Sequence, residues 1–258
     1  MAKIFFLGTS AAIASSKRDN TSILLSHGKD RVLIDTPGSL LVKLARLKVD
    51  YRAINHIILT HSHPDHIYGL VSLLHSRYQL DDQINIFAHP TAIKLVKQLR
   101  RLFKLENTDK YPKIIYKKVE AGLFYDSGNI SVRAFKVKHS RDSLGLKFFF
   151  KKDRVNLVYS SDTAKSRDLI RVSRGCDYLI HDCFAPQRIF KKYPQLISMH
   201  TSSLGLGKIA REINPRVLIP IHFTSEVKYS LEAIRKEIKK NFAGRIILPV
   251  DFDILKLA

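Results

Sequence analysis

The sequence predicts an α+β protein in which packed β-sheets are covered by helices, as one domain over residues 1–258. Three observations lead there. Short apolar and β-branched runs occur both in hairpins and in alternation with helical patterns, a mixture expected of sheets that carry helices. The chain has 258 residues, enough for one large core. No Pro/Gly/Ser-rich linker, low-complexity tract or short repeat divides it.

The elements follow in order. Ile4–Leu7 reads as a first strand ending in a Gly turn. A signal peptide would need a longer apolar run and more than one leading lysine. Ser10–Asn20 is a small-polar loop. Ser22–Ser26 and Arg31–Asp35 are strands joined through His27-Gly28-Lys29-Asp30, a hairpin signal. Ser39 stands where it would cap a helix over Leu40–Leu47. Ile54–Thr60 is a strand, Ile67–Tyr78 a helix with Leu70, Leu73 and Leu74 inward, and Gln83–Ala88 a strand. Pro90–Leu105 is a helix with Ile93, Val96, Leu99 and Phe103 on its buried stripe and Lys94, Lys97, Arg101 and Lys104 on another face.

Ile114–Val119 and Ile130–Val137 are strands, with a turn at Asp126–Asn129 between them. Leu144–Phe150 and Val155–Ser160 form a hairpin. Ser166–Val172 is helical, Tyr178–His181 a short strand, and Phe184–Leu196 irregular and basic. Thr201–Ile213 is a helix stopped by Asn214-Pro215. Val217–Ile221 is a strand and Glu226–Asn241 the last helix. Strands at Ile246–Leu248 and Phe252–Leu257 close the chain. No apolar run approaches the roughly 18 residues of a membrane span.

Lys+Arg exceed Asp+Glu by 44 to 23, a net charge of +21, so the surface attracts polyanions. Two cysteines, Cys176 and Cys183, make neither a disulfide framework nor a thiolate metal site. They read as reduced, buried thiols of a cytoplasmic protein.

The chemistry centres on His61-Ser62-His63-Pro64-Asp65-His66. An apolar strand precedes it and a helical pattern follows it. Four side chains of the kind that bind zinc, manganese or iron therefore gather in a loop at the carboxyl end of a strand. The same syntax, an apolar strand ending in a ligand-type residue, recurs at His139, Asp162, His181 and His222. His200 differs, because Thr201-Ser202-Ser203 after it reads as a helix cap. Strand ends on one rim of a layered fold are where active sites are built.

The hexapeptide resembles the His-x-His-x-Asp-His signature of the metallo-β-lactamase superfamily. Phe6–Thr9, Lys17–Ser22, His66–Leu70, Ser161-Asp162-Thr163, Leu179–Phe184 and His200-Thr201-Ser202 resemble its ribonuclease Z branch, across nearly the whole chain. The resemblance implies a four-layer αββα sandwich holding two divalent ions, zinc first, with manganese or iron as alternatives. It implies one ion on His61, His63 and His139, the other on Asp65, His66 and His222, and Asp162 bridging both. A hydroxide shared by the ions would attack, and Asp65 would take or relay its proton. His200 would serve as the catalytic histidine near the scissile phosphate, with Asp182 orienting it. A homodimer is a common family arrangement.

The branch's long RNA-gripping arm would fall between His139 and Asp162. Only 23 positions separate them, and a hairpin fills the gap. The layout therefore resembles compact phosphodiesterases of the superfamily as well. The leading expectation is hydrolysis of a phosphodiester, with RNA and nucleotide or cyclic diesters as candidates. A lactone or thioester hydrolase is the second expectation. A basic module that binds nucleic acid without catalysis is the third, through the Lys94/Lys97/Arg101/Lys104 face and the Arg188/Lys191/Lys192 and Lys236/Lys239/Lys240 clusters.

Overall fold

The computed structural model describes residues 1–258. In chain order, its first half holds β1 (Lys3–Gly8), β2 (Ser22–His27), β3 (Asp30–Ile34), α1 (Leu40–Arg46), β4 (His56–Leu59), α2 (Pro64–Ile67), α3 (Leu70–His75), β5 (Gln83–Ala88), α4 (Pro90–Leu102) and β6 (Lys113–Lys118). The second half holds β7 (Gly122–Asp126), β8 (Ile130–Lys136), β9 (Leu144–Phe150), β10 (Val155–Tyr159), α5 (Arg167–Ser173), β11 (Tyr178–Asp182), α6 (Gln187–Lys192), α7 (Ser203–Ile213), β12 (Val217–Ile221), α8 (Leu231–Lys239), β13 (Arg245–Ile246) and β14 (Ile254–Lys256).

Two seven-stranded sheets result, in the orders β14-β1-β2-β3-β4-β5-β6 and β13-β12-β11-β10-β9-β8-β7. Both are mixed. In the first, β3 to β6 run parallel, while β1, β2 and β14 pair antiparallel. In the second, β10 to β13 run parallel and β7 to β10 form antiparallel pairs. The four-layer αββα arrangement is the one expected.

Its cause is the two-residue period of strand side chains. Ile23, Leu25, Val32 and Ile34 point between the sheets, where they meet Val132, Leu146, Phe148, Leu157, Ile180 and Ile219. Leu24, Leu33, Ile57 and Leu59 point the other way, onto Leu70, Leu73, Leu74, Ile93 and Val96 of the helices. Val158, Leu179 and Leu218 do the same on the second sheet, under Leu169, Leu206, Ile209, Ile234 and Ile238. Central strands are thus buried on both faces, which explains their unbroken apolar runs. Each such side chain contributes about 1.5–3 kcal/mol of burial. No helix is long and apolar enough to cross a membrane.

Five local expectations differ from the structure. Phe103, expected on the buried stripe of α4, is 55% exposed, because the helix ends at Leu102 and Phe103 is its C-cap. Ser39 precedes α1 in a left-handed conformation, φ 57°, and its side chain caps nothing; a capping hydroxyl needs an extended backbone. The helix expected over Ile67–Tyr78 is broken into α2 and α3, because Gly69 donates its N–H to the Thr36 carbonyl at 2.8 Å, outside the helical ladder. The stretch read as irregular holds α6 and a 3₁₀ turn, Pro194–Ser198; Ile189 and Phe190 bury one face while Arg188, Lys191 and Lys192 take the other. Strand β7, unrecognised in the sequence, is an edge strand whose Leu123 is exposed, so its alternation is weak. The Asp126–Asn129 turn is the turn of its hairpin with β8.

Gly69 fixes where the ligand loop sits. A Cβ there would lie 1.9 Å from the Pro37 carbonyl oxygen. Gly69→Ala must therefore push α2 away from the Thr36–Pro37 turn. We expect a loss of about 1–3 kcal/mol, the usual cost of overpacking, read as a lower urea midpoint with an unchanged m-value.

Candidate metal centre

Most candidate residues are delivered from the carboxyl end of a strand or the turn after it, and Asp65 and His66 lie on α2 just beyond such a turn. His61 follows β4. His139 follows β8, Asp162 follows β10, Asp182 ends β11 and His222 follows β12. β8 runs with β10, since each is antiparallel to β9 between them. The contributing strands of the second sheet thus share one direction, and their ends meet the end of β4 at one rim. His200 enters from the turn before α7, whose cap is Ser202 accepting from Gly205 N–H.

The side chains converge in three groups. His61 Nε2 and His139 Nε2 lie 3.0 and 3.1 Å from His63 Nδ1. Asp65, His66 and His222 form a second group. Asp182, His200 and His222 form a third. Asp162 stands between the first two. Its Oδ2 lies 3.8 Å from both His61 Nε2 and His139 Nε2, 3.4 Å from His66 Nε2 and 3.1 Å from His222 Nε2.

The outer ring nitrogens are held by protein. His66 Nδ1 meets Asp35 Oδ2 at 2.8 Å, His139 Nδ1 meets the Met199 carbonyl at 2.9 Å, and His61 Nδ1 meets Thr60 Oγ1 at 3.1 Å. The opposite nitrogens are turned inward. Partners of this kind fix the ring and its tautomer. His200 Nδ1 faces Asp182 Oδ2 at 3.0 Å, and the same oxygen accepts the Thr163 N–H at 3.0 Å. The His200 ring stacks on Phe184, with centroids 4.6 Å apart.

Several inward atoms are buried without any hydrogen-bond partner: His66 Nε2, His222 Nε2 and Asp162 Oδ1. Such atoms cost folding free energy, about 1–3 kcal/mol each. Five imidazoles and two carboxylates are a donor set for divalent transition metals, and a cation gives the orphaned atoms their partner. The residues fit a divalent metal.

Electrostatics agree. Burial holds the His61 and His139 pKa values below the usual range, so both rings are neutral, as ligation requires. Burial opposes charge on His222 as well, but Asp162 and then Asp182 outweigh it and raise its pKa to about 10. His66 is raised in the same way by Asp162 and Asp35. A proton and a cation therefore compete for the inward nitrogens of His222 and His66. Backbone conformation carries strain here too: Asp35, Ser161 and His222 are non-glycine residues at φ 60°, 54° and 64°.

The structure brings together His61, His63, Asp65, His66, His139, Asp162, Asp182, His200 and His222. It leaves out His181. That side chain is buried outside every group, and its Nδ1 meets only the Asp182 carbonyl. Neighbours on a strand point to opposite faces, so His181 and Asp182 cannot both reach the centre. One contributor went unrecognised. Asp35, fully buried, accepts from Thr60 N–H and Thr60 Oγ1 at 2.8 Å as well as from His66. Its signal was present, since it ends an apolar strand as the other candidates do. Cys183 and Cys176 are both buried; burial pushes the first thiol up and the second up to about 12, which leaves them unreactive.

A family model described as the anti-Pycsar protein Apyc1 matches residues 2–204. The chain belongs to the Apyc1 family. The match ends before β12 and His222. Ribonuclease Z of Archaeoglobus fulgidus is 23% identical over 308 residues, covering 97% of this chain and 98% of that protein. The metallo-β-lactamase fold protein YhfI from Bacillus subtilis superposes with a TM-score of 0.82 at 20% identity, over 98% of each chain. The short form of human tRNase Z superposes at 0.78 and 18% identity, over 99% of each. The fold of this Apyc1-family chain is the metallo-β-lactamase sandwich, as its signature implied.

Asp35 supports His66 without reaching the centre itself. Asp35→Ala should therefore lower metal affinity about 10–100-fold, the usual cost of losing such a partner, while leaving the chain folded. Competition with a metal indicator dye measures it, and unchanged affinity would remove Asp35 from the site.

Proposed function

We propose that residues 1–258 act as one metal-dependent hydrolase domain, and specifically as a dinuclear phosphodiesterase. The observation that carries the reading is the position of Asp162. One buried carboxylate lies within reach of two separate ligand groups, as a bridge between two ions must. His61, His63 and His139 would hold one ion and Asp65, His66 and His222 the other, with Asp162 on both. Zinc is the first choice for this donor set, with manganese and iron next.

Two bound cations supply an activated water and neutralise phosphate charge. The chain's own groups do the rest. Asp65 is held below the usual carboxylate range, burial opposing and His66 outweighing it, so it is ionised and can accept a proton. His200 is aimed by Asp182 through Nδ1, which turns Nε2 toward a substrate. There it would hydrogen-bond a phosphoryl oxygen or protonate the leaving alcohol. Phe184 stacks on the ring and limits its rotation.

A phosphodiester substrate is supported by relatives named ribonuclease Z, by the histidine that complements the metal groups, and by the net charge of +21. The segment between His139 and Asp162 holds only β9, β10 and short turns. Substrate engagement therefore uses the body of the fold. RNA and small nucleotide or cyclic diesters both carry the required group.

Metal analysis should find close to two transition-metal ions per chain, and one or none would undo the dinuclear reading. Turnover of bis(p-nitrophenyl) phosphate by metal-loaded protein sets the reaction class, beside a lactone and a thioester. His200→Ala should keep both ions and lose about 10²–10⁴-fold in turnover, the range for a general acid. Unchanged turnover would remove His200 from the mechanism, and turnover of the carbonyl esters alone would remove the phosphodiester.

A further inference from the structure

Helix α4 and strand β6 enclose a groove of about 440 Å³ whose lining includes Lys94, Lys97, Arg101 and Lys118, with no acidic residue. Lys94, Lys97 and Arg101 stand on successive turns of α4, where like charges repel. Lys118 comes from the other wall, at the end of β6. Nearby contacts reinforce the arrangement instead of neutralising it. Lys97 Nζ lies 5.0 Å over the Tyr116 ring, and Arg100 donates to the Tyr116 hydroxyl at 3.1 Å. The one ion pair made by these four cations is that of Arg101 with the exposed Glu106, at 3.9 Å. Four cations from two elements thus face one concavity, an arrangement that an anionic ligand would stabilise.

The groove's place in the sheet suggests the form of that ligand. β4, β5 and β6 are parallel neighbours. Lys118 therefore ends at the same rim as the His61 loop, two strand spacings or about 10 Å to the side. From there, Lys94, Lys97 and Arg101 continue along α4 in steps of about 5–6 Å. A row of this kind fits a chain of phosphates better than an isolated anion.

We propose that the groove between α4 and β6 binds the sugar–phosphate backbone of single-stranded nucleic acid. The site goes beyond the hydrolase reading and does not require it. Contacts are to phosphates, so binding is insensitive to base sequence and weakens with salt.

The test is fluorescence anisotropy of labelled 12-nucleotide oligo(U) and oligo(dT) with the protein as purified, across a salt series. The comparison is between Lys94→Glu/Lys97→Glu/Arg101→Glu and a control of equal charge change at α5, Arg167→Glu/Arg171→Glu/Arg174→Glu. All six side chains lie at or near the surface. Thermal melting verifies that each variant is folded. The groove variant should bind at least about tenfold more weakly at 0.1 M salt. Its salt slope should fall by about 2, three contacts at roughly 0.7 each. The α5 variant should keep most of both. Equal losses in the two variants would mean that only net charge matters and would overturn the groove. So would unchanged binding by the groove variant, no salt-dependent binding by the parent, or binding to anionic phosphatidylserine vesicles in place of either oligonucleotide. None of these readouts uses turnover, so the proposal stands or falls apart from the phosphodiesterase.

Discussion

The Asp162 carboxylate is the constraint on which the rest of the centre depends. It is 2% exposed and lies within 3.8 Å of ring nitrogens from four histidines. Those histidines come from both sheets, at positions 61, 66, 139 and 222. A charge so deeply buried is tolerated only where opposite charge or a cation answers it. Raised pKa values at His66 and His222 are the protein's own answer. A divalent ion is a stronger one, and it competes for the same lone pairs. The two-sheet architecture and the ligand chemistry thus meet at one carboxylate.

Around it the protein is built to hold rings rather than to reach for substrate. Asp35, Thr60, the Met199 carbonyl and Asp182 each grip the outer nitrogen of a histidine. Three positions at the centre, Asp35, Ser161 and His222, are non-glycine residues with positive φ. Such conformations persist only where packing determines them, and here the face-to-face core of the two sheets does so. Gly69 contributes by allowing the backbone of α2 to touch the Thr36–Pro37 turn, which sets Asp35 against His66.

The charge of +21 is not spread evenly in its consequences. Many surface lysines sit singly in solvent, and others pair with acids, as Lys151 does with Asp126 and Lys165 with Glu212. The α4–β6 groove gathers four cations with no acidic residue in its lining, and one of them, Lys118, stands on the rim that also carries the ligand loop.

Sequence alone determined the signature, the fold class and most of the element order. His61, His63, Asp65 and His66 lie within six residues, the strands before Asp162 and His222 are strongly apolar because they are buried on both faces, and the strand before His139 shows the alternation of a half-buried one. Those signals are local, and local signals survive in one dimension. Tertiary structure decided the rest. That Asp182 reaches the centre and His181 does not is a matter of strand face, and a one-residue difference in register reverses it. Asp35 lay unrecognised because its partner His66 is 31 positions away. The breaks in the helices and the place of β7 followed from Gly69 meeting Thr36 and from an exposed sheet edge. Lys118 joined the α4 cations only when β6 was laid beside β5. In each case the deciding contact links residues far apart in the chain, and only the packed sheets bring them together.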